Sequence, residues 1–364
     1  MRSATPIEAV HATAYVVPTD SPESDGTSEW ASTTLVIVKV EAGGKQGIGY
    51  TYGDSSIAKL IQDRFAKLLV AYDAMSIPKR WSDMVTSTKN IGRSGISSTA
   101  ISAVDIALWD LKAKLLDTPL AMLLGLARPS IPAYGSGGFT TYSQEQLREQ
   151  LTNWLERGFD KVKIKIGRNK LADVDRVSFA REVIGPNRGL FVDASGAYTR
   201  TEALEMIDLL TQWKVSWFED PIPCDDVDGL RILCQQRPGG VSIAAGEYGF
   251  ELSYFRRLLQ ENAIDTLQVD ATRCGGITGF LAVANLCDAF GIPLATRSAP
   301  ALHASLGCVA QRATCLEYSH DHARVEKMFF EGLPLFEKGH LKPDFNLPGL
   351  GITFKENDMA CYKV

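Results

Sequence analysis

The sequence predicts an α/β protein: a (β/α)8-type barrel preceded by a separate α+β unit. Three observations carry this reading. From Ile131 onward, eight short strand-like runs recur, most of them followed by a polar or helical segment. Charged residues close several of those runs at a near-constant spacing. The first hundred or so residues have a different, antiparallel character. A length of 364 residues also exceeds the usual size of one core, which calls for a large barrel or two domains.

In chain order, Ile7 to Val17 and TTLVIVKV (33–40) read as strands. The turn EAGGKQG leads to a third, Ile48 to Tyr52, so the three form an antiparallel meander. Between the first two lies PTDSPESDGTSEWAS, rich in Pro, Ser, Asp and Gly, which reads as a loop and a candidate lid. Trp30 is the residue in it suited to touching a ligand. Ile101, Val104, Leu108, Leu111 and Leu115 recur at three- and four-residue steps and give one apolar helical face. Pro119 interrupts that helix, and Trp109 and Asp110 on it read as packing residues.

The barrel strands expected are IPAYGS, DKVKIKI, GLFVD, VSWFE, VSIAAGE, DTLQVD, IPLATR and TCLE. DKVKIKI is the most informative. A strand's side chains alternate with a period of two, so Lys163 and Lys165 share one face while Val162, Ile164 and Ile166 share the other. Like charges so close, once buried, depress each other's protonation and make a lysine available as a base. The steps Lys165–Asp193–Glu219–Glu247–Asp270–Arg297 are 28, 26, 28, 23 and 27 residues, one βα unit each. These side chains therefore fall at one level, the C-terminal ends of the strands, where barrel active sites lie. Asp193, Glu219 and Glu247 would repel one another if left unpaired, and a hard divalent cation relieves this. Magnesium suits an all-oxygen set; zinc suits it less, because no His or Cys stands at matching positions.

Composition removes other classes. The formal net charge of −5, with no basic cluster, argues against nucleic acid as a partner. No apolar run approaches a membrane span. MRSATPIEAV lacks the apolar core of a signal peptide. Seven scattered cysteines without a CxxC pair read as buried thiols of a reducing cytoplasm.

Several segments carry a specific resemblance: AVDIALWDLKAKLLDTPLAMLLG as a helix joining a capping domain to a barrel, KIKIG, VDAS, FEDP, AGE, QVDATRCGGIT, GIPLATRSAPALH and CLEY. Together they resemble the mandelate racemase/muconate lactonizing enzyme group of the enolase superfamily over nearly the whole chain. The resemblance implies a modified (β/α)7β barrel at 126–330, an α+β capping domain with its lid loop at 1–125, and a C-terminal segment, 331–364, returning to the cap. It implies a homo-oligomer, a small carboxylate substrate, and proton removal next to that carboxylate with the resulting enediolate held on Mg2+. Asp193, Glu219 and Glu247 become the metal ligands and Lys165 the base. Lys163 tunes Lys165 or touches the substrate carboxylate, and a protonated Glu317 donates to a carboxylate oxygen. Asp220 lies behind the ligands. A base at neutral pH needs the lysine, ordinarily near about 10.4, lowered to roughly 7–8, and Lys163 and the metal both push that way.

One position departs from the group. The racemase-like branch ends its seventh strand in a histidine paired with a sixth-strand aspartate, here Asp270, but this chain has Arg297. Arginine stays protonated. An Asp270–Arg297 ion pair, or capture of a second substrate carboxylate by Arg297, is the expectation. The sixth-strand lysine of the lactonizing branch is absent too, and Ser195 stands where the group more often has Asn. His303 reads as structural, and His11, His320, His322 and His340 have no comparable placement. A one-base reaction remains: dehydration of a hydroxy acid or acid sugar from one face, with Lys165 also helping the hydroxyl leave. Lactone cycloisomerisation would use the same base. Racemisation or epimerisation needs a second proton donor and ranks lower. A metal-binding paralogue with impaired turnover is the non-enzymatic alternative. Substrate identity is expected to reside in 18–32, in 51–55, in 134–138, and less in Arg93.

Overall fold

The computed structural model describes residues 5–364; residues 1–4 of the segment MRSATPIEAV lie outside the described residues. Strands β1 (Ala9–Ser24), β2 (Glu29–Ala42) and β3 (Lys45–Tyr52) form an antiparallel sheet in that order. Helix α1 (Ser56–Leu60) passes through a π-helical turn (Ile61–Phe65) into α2 (Ala66–Leu69). Helices α3 (Ile77–Ser87), α4 (Ile96–Leu115) and the short α5 (Leu120–Leu124) follow. The sheet buries Val36, Val38 and Val40 against Ala103, Ala107 and Leu111 of α4.

The stretch read as a loop, 18–32, is mostly strand. β1 and β2 continue as a long hairpin, with Glu23 opposite Trp30 and Ser24 opposite Glu29, and an irregularity between Pro18 and Glu23. The turn at 25–28 is built by Asp25, whose Oδ1 accepts from the Thr27 and Ser28 backbone N–H groups at 2.7 Å each. Loop-like composition was misleading because two prolines and a Ser/Asp run are compatible with a twisted, irregular hairpin tip. Gly26 seats that tip on the barrel: a Cβ there would stand 2.3 Å from the Ala194 carbonyl oxygen and 2.8 Å from that of Ile166.

Eight parallel strands close a barrel. They are β4 (Ile131–Gly137), β5 (Lys161–Lys165), β6 (Gly189–Asp193), β7 (Val215–Glu219), β8 (Ser242–Ala245), β9 (Thr266–Val269), β10 (Leu294–Thr296) and β11 (Ala313–Ser319), and β11 pairs with β4. A helix follows each strand: α6 (Gln144–Glu156), α7 (Lys170–Ile184), α8 (Arg200–Thr211), α9 (Val227–Gln236), α10 (Leu252–Gln260), α11 (Gly276–Phe290), α12 (Pro300–Val309) and α13 (His320–Phe329). All eight strands sit where hydrophobic periodicity placed them. No described helix is long and apolar enough to cross a membrane.

Two packing layers position the site. Outward-facing residues such as Val162, Ile164, Val192 and Phe218 pack against the helices. Inside, Tyr134, Phe191, Trp217, Ala244, Ala295 and Cys315 form a separate buried plug. Phe191 stacks on Trp217 at 5.1 Å. Phe191, Trp217, Ala295 and Cys315 stand two residues before Asp193, Glu219, Arg297 and Glu317. The period of two therefore puts polar side chains one layer above an apolar floor. Beyond α13, the hairpin of β13 (Leu335–Glu337) and β14 (His340–Lys342) pairs antiparallel onto β4, while β12 (Phe330–Glu331) pairs with β15 (Thr353–Phe354) and the chain then returns to the N-terminal sheet. There Tyr15 packs edge-on to Phe354 and bridges to Lys363.

Candidate active site

Strand register gathers the charged residues. Lys165 is the direct partner of Asp193 across β5 and β6, and Asp193 of Glu219 across β6 and β7. Glu247 follows the end of β8 after Gly246, which turns with φ +128°. Ligand oxygens of Asp193, Glu219 and Glu247 lie within 4.8 Å of one another, and all three residues are buried. Lys163 is 0% exposed, so its strand face is not solvated. Its Nζ lies 2.5 Å from Glu219 Oε1, 2.7 Å from Glu317 Oε1 and 3.7 Å from Asp193 Oδ2. Lys165 Nζ contacts Asp193 Oδ2.

The carboxylates fit a bound cation on their own evidence. Glu219 is buried against Asp193, Glu317 and Glu247, and this pushes its carboxyl well above the usual range despite Lys163. Asp220, directly behind it, is raised by burial and then by Glu247 and Asp193, and neither of its oxygens has a hydrogen-bond partner. Asp193, Glu219, Asp220, Glu247 and Glu317 thus hold more acid than Lys163, Lys165 and Arg297 neutralise, and a divalent ion with a preference for oxygen would supply the missing charge. Ser195 supports Asp193 through its backbone N–H and hydroxyl, at 2.7 and 3.0 Å from Oδ1.

Two expected protonation states run against the charges that the protein itself places around them. Burial is the largest influence and disfavours charge on Lys165, and Lys163 lowers it further, yet Asp193, Glu247 and Glu219 together hold the ammonium above its ordinary range. The expectation of a depressed lysine counted Lys163 and the metal; Asp193, the carboxylate facing Lys165, opposes them. Glu317 is the second. Burial alone would raise it, but Lys163, Arg297 and Lys165 hold it well below the usual carboxylate range. Ser136 Oγ donates to it at 2.6 Å and the Ser298 backbone N–H at 2.9 Å. Surrounded by donors, Glu317 is an ionised acceptor, not a protonated donor.

Arg297 forms the expected pair with Asp270 at 3.3 Å, and it also reaches Glu247 Oε2 at 2.9 Å and Glu317 at 3.9 Å. It therefore bridges the aspartate of β9 to one of the acidic trio. His303 is fully buried and neutral. Its Nδ1–H donates to the Ser298 carbonyl at 2.7 Å and its Nε2 accepts from the Ala271 N–H at 3.0 Å, so both ring nitrogens are committed to backbone. Asp110 likewise serves structure, accepting from the Ile48 and Leu350 N–H groups at 2.7 Å, and Trp109 donates to Thr278. Arg93 stacks over Trp81 and does not line the site.

A cavity of about 240 Å3 opens above these groups. Lys165, Glu247, Arg297 and Glu317 form its floor. Ser136, Gly137 and Phe139 come from the end of β4, as expected for 134–138. Glu23, Asp25, Trp30 and Thr33 come from the hairpin tip. Segment 51–55 does not line it: Thr51 donates to the Thr272 carbonyl and Tyr52 stacks at 3.5 Å on His322. Sequence reasoning missed His322, Arg273 and Tyr248. His322 follows the eighth strand on α13 and is held neutral by burial, with its pKa near about 4. Four non-glycine residues with positive φ, Ser195 (50°), Asp220 (36°), Ser298 (51°) and Ala299 (41°), follow the strand ends around the site. That is where backbone strain is stored to aim side chains.

Residues 10–125 match the family model of the mandelate racemase/muconate lactonizing enzyme N-terminal domain, and 146–358 that of the enolase C-terminal domain-like family. The chain is 35% identical to 3,6-anhydro-alpha-L-galactonate cycloisomerase of Streptomyces coelicolor, over 78% of this chain and 80% of that one. It is 31% identical to arabinonate dehydratase of Saccharolobus solfataricus, over 92% of each. Among solved structures, a mandelate racemase/muconate lactonizing enzyme-like protein from Rubrobacter xylanophilus superposes with TM-score 0.96 at 45% identity, covering 99% of this chain and 100% of that one. A racemase from Streptomyces coelicolor with bound magnesium gives 0.93 at 30%, covering 98% and 100%.

Proposed function

The chain belongs to the mandelate racemase/muconate lactonizing enzyme group of the enolase superfamily, whose enzymes depend on magnesium, and from that premise we propose that it dehydrates a hydroxy acid or acid sugar. Lys165 takes the proton next to the substrate carboxylate, and a β-hydroxyl then leaves. Asp193, Glu219 and Glu247 would hold magnesium, which when bound would supply Lewis-acid stabilisation, by several kcal/mol, of the charge that develops on that carboxylate.

One observation carries the choice of dehydration over racemisation: Arg297 is locked between Glu247 and Asp270 where a second base would have to stand. His303 has both nitrogens on backbone, and His322 is too weak a base with a pKa near about 4. Lys163 is enclosed by Glu219 and Glu317, which hold it charged. It therefore anchors the acidic cluster and orients Glu317. Lys165 is left as the lysine facing the cavity, and its release from Asp193 is the condition for it to act. The ionised Glu317 accepts a hydrogen bond from a substrate hydroxyl, with Ser136 and Ser298 holding it in place.

The test is a screen of acid sugars and hydroxy acids with magnesium in D2O, reading α-proton exchange and loss of water. Exchange and dehydration by the wild type, both lost in Lys165→Ala, support the reading. Exchange that survives Lys165→Ala overturns it, as does racemisation without dehydration. Lactone cycloisomerisation uses the same single base and is read by the same exchange, with a lactone consumed instead of water released.

A further inference from the structure

Glu23 stands in the wall of this cavity and forms no ion pair among the described residues. It sits on the hairpin tip, is 0% exposed, and lines the same 240 Å3 space as Lys165 and Arg297. Oε2 accepts from Trp30 Nε1 at 2.9 Å, while Oε1 has no hydrogen-bond partner. Trp30 is fixed edge-on against Phe139 at the end of β4, so the carboxyl is held from behind with one oxygen uncommitted. A buried carboxyl oxygen without a partner is costly. A ligand entering the cavity that Glu23 and Lys165 both line can satisfy it.

We propose that Glu23 is the acid of this active site: its Oε1 carries the proton that leaves with the substrate's β-hydroxyl when Lys165 removes the α-proton. The assignment rests on the reading of Lys165 as the base. The bonds balance without a co-reactant. The Lys165 lone pair takes the α-proton, the C–H electrons become the C=C bond, and the C–O bond breaks with its pair to oxygen. The Glu23 proton completes water, leaving an enol that tautomerises to the keto acid and a Glu23 carboxylate that solvent reprotonates.

Burial, and then the acids beside it, favour the protonated form of Glu23. Burial pushes its carboxyl up to about 8 and Asp321 adds to this; the Trp30 hydrogen bond lowers it by more than Asp20 raises it, and Arg324 lowers it least. Arg324 is engaged by Asp321 Oδ1 at 2.7 Å and the Pro18 carbonyl at 2.8 Å, and Asp20 by His320 at 2.8 Å. Among the described residues, Arg324 and His320 are the cationic groups beside Glu23, and each is engaged by another acid. The hairpin thus supplies the proton donor that Arg297 cannot be.

The test has a substrate-free arm and a catalytic arm. In infrared difference spectra near neutral pH, the magnesium-loaded wild type minus Glu23→Gln should show one protonated-carboxyl stretch; a carboxylate band alone overturns the proposal. With arabinonate and galactarate in D2O, the ratio of dehydration to α-proton exchange should fall about 100-fold in Glu23→Gln, with Glu23→Asp restoring part of it. Exchange by the wild type with an unchanged ratio in Glu23→Gln overturns the role of Glu23 alone. No wild-type exchange with either acid overturns the reading of Lys165 and this proposal with it. Circular dichroism and magnesium affinity equal to wild type establish that the variants are folded.

Discussion

Replacing Arg297 with methionine tests the charge arithmetic of the site. The guanidinium sits 2.9 Å from Glu247 and 3.3 Å from Asp270, with 16% of its side chain exposed. Asp270 keeps other partners after the change, namely the Thr272 N–H at 2.8 Å and Arg273 at 3.6 Å. Glu317 keeps Lys163. Glu247 loses its ion pair and remains buried. Breaking a buried pair by removing one partner costs about 3–5 kcal/mol, and the residual exposure together with the partners left to Asp270 put this case at the lower end, about 3 kcal/mol. Magnesium gives Glu247 a cation again, so part of that loss should return when the metal is added. By linkage, each 1.4 kcal/mol returned appears as tenfold tighter magnesium binding. Urea unfolding followed by tryptophan fluorescence, in EDTA and in saturating magnesium, measures the first effect; titration calorimetry measures the second. Equal stability of Arg297→Met and wild type in EDTA would refute the reasoning, as would a deficit that magnesium leaves unchanged.

Three further outcomes are expected. Asp193→Asn should weaken magnesium binding by about 100-fold or more, since loss of even a residue supporting a ligand costs 10–100-fold; calorimetry showing wild-type affinity would remove Asp193 from the ligand set. Glu23 holds its proton up to about 8 in the folded chain, whereas the unfolded chain releases it near about 4.3. Across that window the folded state binds the extra proton, so stability falls as pH rises and levels off above the folded value. Glu23→Gln should therefore gain on the wild type by roughly 1.4 kcal/mol per pH unit between about pH 5 and 8, and parallel stability curves would contradict this. Gly26→Ala should cost about 1–3 kcal/mol and lower turnover, because the added methyl meets the Ala194 carbonyl oxygen at 2.3 Å and lifts the hairpin tip; unaltered thermal stability and turnover would show that the tip has room to shift.

The barrel, its eight strands and the level at which Lys165, Asp193, Glu219, Glu247, Asp270 and Arg297 stand were legible in the sequence. They depend on local periodicity: a side-chain alternation of two within each strand and a βα repeat of near-constant length between strands. The same alternation placed Lys163 and Lys165 on one face, and the chemistry of three converging carboxylates called for an oxygen-seeking cation. What depended on contacts between distant segments was decided by tertiary structure. Whether Glu317 carries a proton is set by Lys163 and Ser298, 154 and 19 residues away in the chain. Lys165 is held charged by an acid on the next strand, and Arg297 spans two carboxylates from two strands. The hairpin tip that closes the cavity was hidden because Pro, Ser and Asp signal a turn by composition alone, while its strand pairing and its seat on Ala194 are long-range. Local pattern fixes which residues face inward; the dielectric and the neighbours that fix their charge exist only once the chain has closed.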